Sequence, residues 1–479
     1  MLLYLCQDTA MHNREGLPLD VSREVLLKQT SEIIANAWSS FDKARSGEPL
    51  LDQNLIHLSK EALSDLSTPA QQALNEAARI LDSSLAQSRP RFFAFVGSSG
   101  LEVGVLADAL ASCFDINLAV SGRSADLIEK QALEWVSQFI GYTSGGGAFT
   151  SGGMVSNLTA LTAAREYAVP EVRKKGITQT LALYCSSEAH YSVRRAAEIL
   201  GIGADHVRGL EIDKHHRLKP EALAKALKVD QQAGITPVAV IATGGTTLTG
   251  AVDPIDKLAD ICHEHKLWLH VDGAYGLPTA SLPEYKELFS GLEQAHSVTI
   301  DAHKWLYLPK ACGVVLVKDR HTLAKSFSHN ENYMLHVDSD FNPVDMTLEY
   351  SRPFRALKLW LAFRIHGAEQ FRQAIRRNLA QAQLCKRLVL EQQELELLVE
   401  PELSTVLFRH VPKKLIAQEA ALNQHNLALV SRMQQDGRVY VSSAVVEDKV
   451  CLRPCFVNFR TTDDDVRVLV DTVLELGQG

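Results

Sequence analysis

Lys304 and Asp272 are the residues of this sequence that most directly suggest chemistry, because each follows a short apolar run that predicts a buried strand. Lys304 lies in the stretch DAHKW at residues 301–305, and Asp272 ends the stretch LWLHVD at residues 267–272. A lysine at a strand end is either a salt-bridge partner or a covalent amine nucleophile, and spacing alone does not separate the two. The apolar residues before Asp272 would desolvate its carboxylate, which therefore needs a cationic partner.

Two further stretches offer an anion site and a flat ring, and both come just before a predicted helix. The stretch TSGGMVSN at residues 150–157 would let backbone N–H groups approach an anion at a helix N-terminus, although a plain tight turn also explains its glycines. His190, in SEAHYS at residues 187–192, is either a ring donor or a capping histidine. Open α/β sheets bind their ligands at the carboxyl ends of strands, where these stretches are predicted to lie.

An anion-binding helix start, a flat ring, a buried carboxylate and a reactive lysine are together what pyridoxal phosphate requires. With this combination the sequence resembles the group II pyridoxal-phosphate-dependent amino-acid decarboxylases, which include the aromatic amino acid, glutamate and cysteine sulfinate enzymes. The matching stretches follow the family's order: 90–93 PRFF, 150–157 TSGGMVSN, 188–193 EAHYSV, 242–247 ATGGTT, 270–275 HVDGAY, 303–306 HKWL, 354–360 FRALKLW and 452–458 LRPCFVN. The resemblance implies pyridoxal phosphate as cofactor and decarboxylation of an L-amino acid to an amine.

By this resemblance, five residues surround the cofactor ring. Lys304 forms the covalent bond to the cofactor aldehyde, and Asp272 faces the pyridine nitrogen and keeps it protonated. A protonated ring accepts the electrons left behind when carbon dioxide departs. His190 stacks on the ring, Ala274 packs against its other face, and Thr246 lies beside the ring hydroxyl. Lys304, His190 and Asp272 are thus the expected catalytic residues.

The resemblance assigns the phosphate to Gly153, Met154, Ser297 and His303. Met154 departs from the serine or threonine that the family often has, so only its backbone N–H could contribute. We therefore expect the phosphate site to depend more on Ser297 and His303. No metal site is expected, because the candidate ligands in CHEH at residues 262–265 are adjacent and point around a helix.

Three residues bear on the substrate. Arg453 aligns with the arginine that grips the substrate α-carboxylate in glutamate-type members of the family. Phe95 lies in FAF at residues 93–95, which resembles the pocket segment of the aromatic decarboxylases. Arg123 is either a partner for an acidic substrate side chain or a solvent-facing loop residue. The sequence therefore leaves both an aromatic and an acidic amino acid open as substrate.

The family also places a tyrosine on a loop that assists protonation of the substrate's Cα. The corresponding stretch, residues 335–349, has Phe341 but no tyrosine, and Tyr333 and Tyr350 flank it. If neither tyrosine substitutes, the enzyme would form an aldehyde by oxidative decarboxylation. A transaminase or lyase of the same fold is the further alternative, and decarboxylation to the amine is our expectation.

Composition excludes several other classes of function. Hydrophobic residues make up 46% of the chain and charged residues 22%, which is ordinary globular usage. The 49 Lys and Arg against 57 Asp and Glu give a net charge of −8 without a basic block, so we expect no nucleic-acid or membrane partner. No window reaches the roughly 18 consecutive apolar residues that span a bilayer, and residues 1–6 do not resemble a signal peptide. The 8 cysteines lack a Cys-x-x-Cys pair and favour a reducing, cytoplasmic location.

The elements that must position these residues form an α/β arrangement. Helical periodicity predicts an N-terminal helical arm over residues 1–88. A large cofactor domain over residues 89–353 follows, with helices predicted at 156–167, 192–200, 254–265 and 284–292. Its apolar runs predict a mostly parallel central sheet flanked by helices, with strands at 181–185, 238–243, 267–271, 297–300 and 313–317. Helices at 354–366 and 369–393 open a small α+β C-terminal domain, residues 354–479.

The resemblance implies the aspartate-aminotransferase-like fold, fold type I of the pyridoxal-phosphate enzymes. It also implies a homodimer with active sites at the interface. The arm has apolar faces but is too small for a core of its own, which is consistent with packing between subunits.

Overall fold

The computed structural model of the protein describes residues 17, 19–43, 53–97, 99–119, 122–329 and 343–478. The chain divides into two compact units, Met1–Ala86 and Gln87–Gly479. In the first unit the described residues form the helices α1 (Arg23–Phe41), α2 (Gln53–Leu58) and α3 (Ala70–Asp82). Gln29 on α1 donates a hydrogen bond to Asn75 on α3 over 2.9 Å, which ties these two helices together.

A seven-stranded sheet forms the centre of the second unit. Its strands are β1 (Gly146–Thr150), β2 (Leu181–Ser186), β3 (Val207–Leu210), β4 (Thr236–Thr243), β5 (Trp268–Asp272), β6 (Ser297–Asp301) and β7 (Gly313–Val317). The order is β1-β7-β6-β5-β4-β2-β3. Strand β7 runs antiparallel to its two neighbours β1 and β6, and all other neighbouring pairs are parallel. Strands β2, β5, β6 and β7 are buried along their whole length, which explains their continuous apolar sequences. The predicted mostly parallel sheet is confirmed.

Helices cover both faces of this sheet. They are α4 (Glu102–Phe114), α5 (Ser124–Ile140), α6 (Gly153–Ala168), α7 (Val172–Lys175), α8 (Ser192–Ile199), α9 (Pro220–Gln232), α10 (Ile255–His265) and α11 (Arg320–Phe327). Two hydrophobic clusters separate the helices from the sheet, one containing Val271 and Trp305 and the other containing Leu183 and Trp268. The strand ends that carry Asp272 and Lys304 are therefore held by packing from both sides.

The predicted helix at residues 284–292 is wrong. The segment forms two short 3₁₀ helices, Pro283–Phe289 and Leu292–Gln294. Gly291 between them has φ 87°, which a continuing helix does not allow.

The last part of the chain begins with the long helix α12 (Ala356–Leu390), which breaks at Gly367, where φ is 70° and ψ is 157°. The break agrees with the two helices predicted on either side of it. The remaining elements are β8 (Leu395–Val399), β9 (Leu407–His410), α13 (Glu419–Asp436), β10 (Ser443–Val446), β11 (Lys449–Leu452) and α14 (Asp463–Gly477). Their four strands form an antiparallel sheet in the order β10-β11-β9-β8, as expected for a small α+β region.

Candidate active site

Half of the predicted site residues line one cleft at the carboxyl ends of β4, β5 and β6. Its unfilled space is about 370 Å³ with the open mouth included. Six predicted residues line this cleft, namely Lys304, Asp272, His190, Ala274, Gly153 and Met154. Asn157, Ser192 and Asp301 line it as well, although the sequence did not single them out.

Lys304 reaches the cleft from the turn that follows β6. The turn is closed by its backbone N–H, which donates to the carbonyl of Asp301 over 2.9 Å. The Lys304 ammonium lies 3.6 Å from Oδ2 of Asp301, and 19% of the side chain is exposed. The amine is therefore accessible from the cleft while a neighbouring carboxylate balances its charge.

Asp272 ends β5 with its carboxylate buried and hydrogen bonded on both oxygens. Oδ2 accepts from Nδ2 of Asn157 over 2.8 Å, and Oδ1 accepts from the backbone N–H of Ala274 over 3.2 Å. Donors from two other residues thus fix the orientation of the Asp272 carboxylate.

A chain of buried hydrogen bonds fixes the amide of Asn157. Nδ2 of Asn157 donates to Oδ2 of Asp272, so the Asn157 oxygen faces Nε2 of His270 over 3.0 Å. Burial lowers the pKa of His270 to about 4, so this neutral ring carries its single proton on Nε2. Its Nδ1 then accepts from the hydroxyl of Ser297 over 2.8 Å, and Trp268 Nε1 donates to that oxygen over 2.8 Å. The donor and the acceptor of each hydrogen bond in this series can therefore be assigned.

The same amide orients His190. Nδ2 of Asn157 also donates to the hydroxyl of Ser192 over 2.9 Å. The Ser192 hydroxyl lies 2.9 Å from Nδ1 of His190, and the Ser192 backbone N–H donates to the same nitrogen over 3.3 Å. Burial lowers the pKa of His190, opposed by the negative charge of Asp272. The ring is therefore neutral at pH 7, with its proton on Nε2.

The glycine turn before α6 leaves no space for a side chain at its second position. A Cβ on Gly153 would lie 2.8 Å from Oδ2 of Asp301 and 3.1 Å from Cβ of Ala274. Thr150 and Ser156 tie the turn together through their hydroxyls, which are 2.7 Å apart. The Gly153 N–H interacts with the Asp301 carboxylate, and the N–H groups that follow it at the start of α6 lack partners within the helix.

Comparison with known proteins identifies the family. The sequence model described as "Pyridoxal-dependent decarboxylase conserved domain" matches residues 53–411. The chain belongs to this family. An aromatic-L-amino-acid decarboxylase of Bacillus atrophaeus is 34% identical over 396 residues, 81% of each chain. An acidic amino acid decarboxylase of Bos taurus is 30% identical over 468 residues, 93% of this chain and 88% of the relative.

A solved structure shares the fold. The crystal structure of Oryza sativa TDC with PLP and tryptamine has a TM-score of 0.90, covers 96% of this chain and 99% of that chain, and is 24% identical. Together with the family match, this makes the protein a pyridoxal-phosphate-dependent carboxy-lyase of fold type I. The cleft fits that cofactor by its own chemistry, since it offers an amine, a buried carboxylate, a flat neutral ring and a glycine turn at a helix N-terminus.

Ser297 and Thr246 do not line the cleft of the enzyme. Ser297 is the first residue of β6, at the end away from the cleft, and its hydroxyl serves His270. The Thr246 hydroxyl is buried against the hydroxyl of Thr249 at 2.8 Å, while its neighbours Gly245 and Thr247 face the cleft. The geometry therefore argues against the direct contacts to phosphate and ring hydroxyl that were expected from these two side chains.

His303 lies beside the cleft, with Nδ1 3.6 Å from Oδ1 of Asp301. Burial lowers the pKa of His303 to about 3, and the charge of Lys310 acts in the same direction. This histidine is therefore neutral at pH 7, and it can offer phosphate a hydrogen bond but no positive charge.

The three predicted substrate residues are separated in the structure. Nη1 of Arg453 donates to the carbonyl of Thr247 over 2.8 Å, which places this guanidinium beside the cleft. Phe95 and Arg123 are both exposed and do not line the cleft. Tyr350 is 44% exposed and also outside the lining. Tyr333 and Phe341 lie outside the described residues.

Simple periodicity could have found Asn157 and His270. Asn157 follows Gly153 by four residues on α6, so the two lie on one face of that helix. His270 precedes Asp272 by two residues on β5, which places both on one face of the sheet. Asp301 ends β6 as Asp272 ends β5, and its closeness to the glycine turn depends on the tertiary structure.

Within the described ranges, no helix is long and apolar enough to cross a membrane. The described residues also contain no group of three or more His, Cys, Asp or Glu arranged to hold a metal ion.

Proposed function

We propose that the enzyme converts an aromatic or acidic L-amino acid to the corresponding amine and carbon dioxide, with Lys304, Asp272 and His190 as its catalytic residues. The observation that carries this proposal is that these side chains, from three separate segments, line one cleft. Pyridoxal phosphate supplies an aldehyde for the substrate's amino group and a ring that accepts the electron pair left by carbon dioxide.

In this proposal Lys304 is the amine that holds the cofactor and gives way to the substrate. Asp272 would hold the proton of the pyridine nitrogen, and the N–H groups of Asn157 and Ala274 orient its carboxylate for that purpose. His190 and Ala274, which both line the cleft, would hold the two faces of the ring. The neutral state of His190 suits this position, because a charged imidazole would repel a cationic ring.

The phosphate is proposed to bind at the glycine turn, on the backbone of Gly153 and Met154 with help from His303. Arg453 is proposed to bind the substrate's carboxylate, since a guanidinium forms paired hydrogen bonds to such a group. Its bond to the carbonyl of Thr247 at the cleft supports this position.

The enzyme is further proposed to act as a cytoplasmic homodimer. The arm of residues 1–88 would pack between subunits, the domain of residues 89–353 would hold the cofactor, and residues 354–479 would form the small domain. The positions of Phe95 and Arg123 support the proposed homodimer, because both side chains are exposed and lie away from the cleft of their own chain. In a dimer with interfacial sites these residues would contact the substrate of the partner subunit.

A substrate panel tests the function. Purified enzyme with pyridoxal phosphate is given aromatic, acidic and basic amino acids, and carbon dioxide, amine, aldehyde and hydrogen peroxide are measured. We expect carbon dioxide and amine in equal amounts from the aromatic or the acidic set. Stoichiometric formation of aldehyde and hydrogen peroxide would show oxidative decarboxylation and contradict the amine as product. Release of no carbon dioxide from any amino acid would overturn the proposal.

Borohydride reduction tests the role of Lys304 directly. Reduction should fix the cofactor on wild-type enzyme and on Lys310→Ala, but not on Lys304→Ala. Lys310 is the matched control because it is a second partly buried lysine close to Asp301. Equal labelling of Lys304→Ala would show that another amine holds the cofactor.

A further inference from the structure

Asp301 places a second carboxylate where the cofactor phosphate is proposed to bind. The residue ends β6 and is only 4% exposed. Its Oδ2 lies so close to the glycine turn that a Cβ on Gly153 would approach it to 2.8 Å, and a Cβ on Gly152 would lie 3.8 Å from Oδ1. Oδ1 is buried and has no hydrogen-bond partner among the described residues. An acceptor with a spare lone pair thus faces the N-terminal turn of α6, a helix of 16 residues.

Nearby positive charges compensate the negative charge of the Asp301 carboxylate only in part. The Lys304 ammonium is 3.6 Å from Oδ2, and Lys310 is close enough to act on it electrostatically. Binding of the cofactor aldehyde consumes the free amine of Lys304. His303 is neutral at pH 7, because burial lowers its pKa to about 3.

Three further groups complete the surroundings. Asp272 on β5 adds negative charge, while burial lowers the pKa of His190 before α8 and leaves it neutral. Lys358 on α12 is already paired with Asp108 over 2.8 Å. Burial raises the pKa of Asp301, and Asp272 acts in the same direction, while Lys304 and the Gly153 N–H lower it. No unpaired cation beyond the two lysines 304 and 310 faces Asp301 from these elements.

A phosphate ester has a second pKa of about 6 and carries nearly two negative charges at pH 7 to 8. When such a group shares a buried turn with an ionised carboxylate, the two repel each other strongly. Uptake of one proton from solvent removes the repulsion. It also turns the unpaired carboxyl oxygen into a hydroxyl that can donate to a phosphate oxygen.

We propose that Asp301 links binding of the phosphorylated cofactor to uptake of a proton, because its carboxyl becomes protonated when phosphate occupies the glycine turn. This inference rests on the proposed function, since it needs pyridoxal phosphate to bind in this cleft. It assigns Asp301 to the control of cofactor affinity by pH.

The experiment uses pyridoxamine 5′-phosphate, which has the phosphate but no aldehyde to react with Lys304. Isothermal titration in two buffers with different heats of ionisation counts the protons taken up per molecule bound. The same titration with pyridoxamine, which lacks the phosphate, serves as ligand control. Asp301→Asn and Asp301→Ser remove the charge, and Asp319→Asn removes a carboxylate that caps α11 outside the cleft.

For wild type and Asp319→Asn we expect uptake of a large fraction of one proton with the phosphorylated ligand. The dissociation constant should then rise by up to about tenfold for each pH unit between pH 7 and 9, the limit for one linked proton. The two Asp301 variants should take up correspondingly fewer protons and bind more tightly than wild type at pH 9. Pyridoxamine should show no difference between wild type and variants.

Equal proton uptake and parallel pH profiles in wild type and both Asp301 variants would overturn this inference and leave the proposed function standing. Failure of wild type to bind pyridoxal phosphate or pyridoxamine 5′-phosphate at any pH would overturn both.

Discussion

Nδ2 of Asn157 lies 2.8 Å from Oδ2 of Asp272, and the same nitrogen donates to Ser192, the hydrogen-bond partner of His190. One amide therefore positions two of the three proposed catalytic residues. On its other side the amide oxygen faces His270 at 3.0 Å, so that the amide cannot reverse without losing both donated bonds.

Asn157→Asp tests this relationship. The substitution keeps the shape but replaces a donor with a carboxylate beside Asp272, and a hydrogen bond to a charged group contributes about 1.5–3 kcal/mol. We expect kcat/KM to fall roughly 10- to 100-fold, mainly through kcat, because Asn157 acts on the ring's partner and not on the substrate. The visible absorbance of bound cofactor should also change its pH dependence, which a purely structural defect would not cause.

Asn423→Asp is the control for Asn157→Asp, since Asn423 donates to the carbonyl of Asp448 far from the cleft in the chain's C-terminal sheet region. Its kinetics and cofactor spectrum should match wild type. An Asn157→Asp enzyme with wild-type kcat would show that Asp272 does not depend on this amide.

Adjacent glycines provide a matched test of the turn. A Cβ at Gly153 would meet Oδ2 of Asp301 at 2.8 Å, whereas a Cβ at Gly152 would have no atom nearer than 3.6 Å. Gly152 has φ 165°, which is extended backbone that alanine also adopts. Overpacking of this kind costs about 1–3 kcal/mol, so Gly153→Ala should weaken pyridoxal phosphate binding roughly 5- to 150-fold while Gly152→Ala changes it little. Equal affinities of the two variants in fluorescence titration would contradict the placement of the phosphate.

The pH dependence of stability should report on His270. Its pKa is about 4 in the folded chain because burial disfavours the charged ring, against 6.5 for an exposed histidine. Below pH 6.5 the unfolded chain binds a proton that the folded chain does not, so stability falls as the pH falls toward 4. Between pH 6.5 and 5 this loss is about 2 kcal/mol from His270 alone.

Urea unfolding of His270→Gln at pH 6.5 and 5 checks this expectation. The variant should be less stable than wild type at pH 6.5, because it disturbs the bonds to Asn157 and Ser297, yet it should lose less stability on acidification. His57→Gln, at an exposed position of α2, should follow wild type. If His270→Gln loses as much unfolding free energy between pH 6.5 and 5 as wild type does, groups other than His270 cause the loss.

The strand ends were predictable from sequence because an apolar run followed by Asp272 or Lys304 marks both the strand and its functional end. The orientation of the Ser297 and Thr246 side chains away from the cleft was not predictable, because a motif does not show which end of a strand or which side of a turn a hydroxyl faces. The helix expected at residues 284–292 is interrupted at Gly291, which has a positive φ and approaches the backbone of Asp256 closely, a tertiary contact that the local pattern does not show. The position of Asn157 on α6 follows from periodicity, but the contacts of Asn157 and Asp301 with other segments are visible only in the tertiary structure.

Arg453 offers a test of the substrate side that is separate from the cofactor. Its Nη1 is held by the carbonyl of Thr247 over 2.8 Å, which leaves the rest of the guanidinium for a carboxylate in the cleft. Arg453→Lys keeps the charge but loses the paired geometry, and one lost charged hydrogen bond of about 1.5–3 kcal/mol corresponds to a roughly 10- to 100-fold rise in KM. Pyridoxal phosphate affinity should stay within about threefold of wild type, as it should for Arg467→Lys on the exposed face of α14. An unchanged KM with weakened cofactor binding would show that Arg453 binds the cofactor and not the substrate. If neither value changes, Arg453 contacts neither ligand, because a guanidinium outside the site can be replaced by a lysine without kinetic effect.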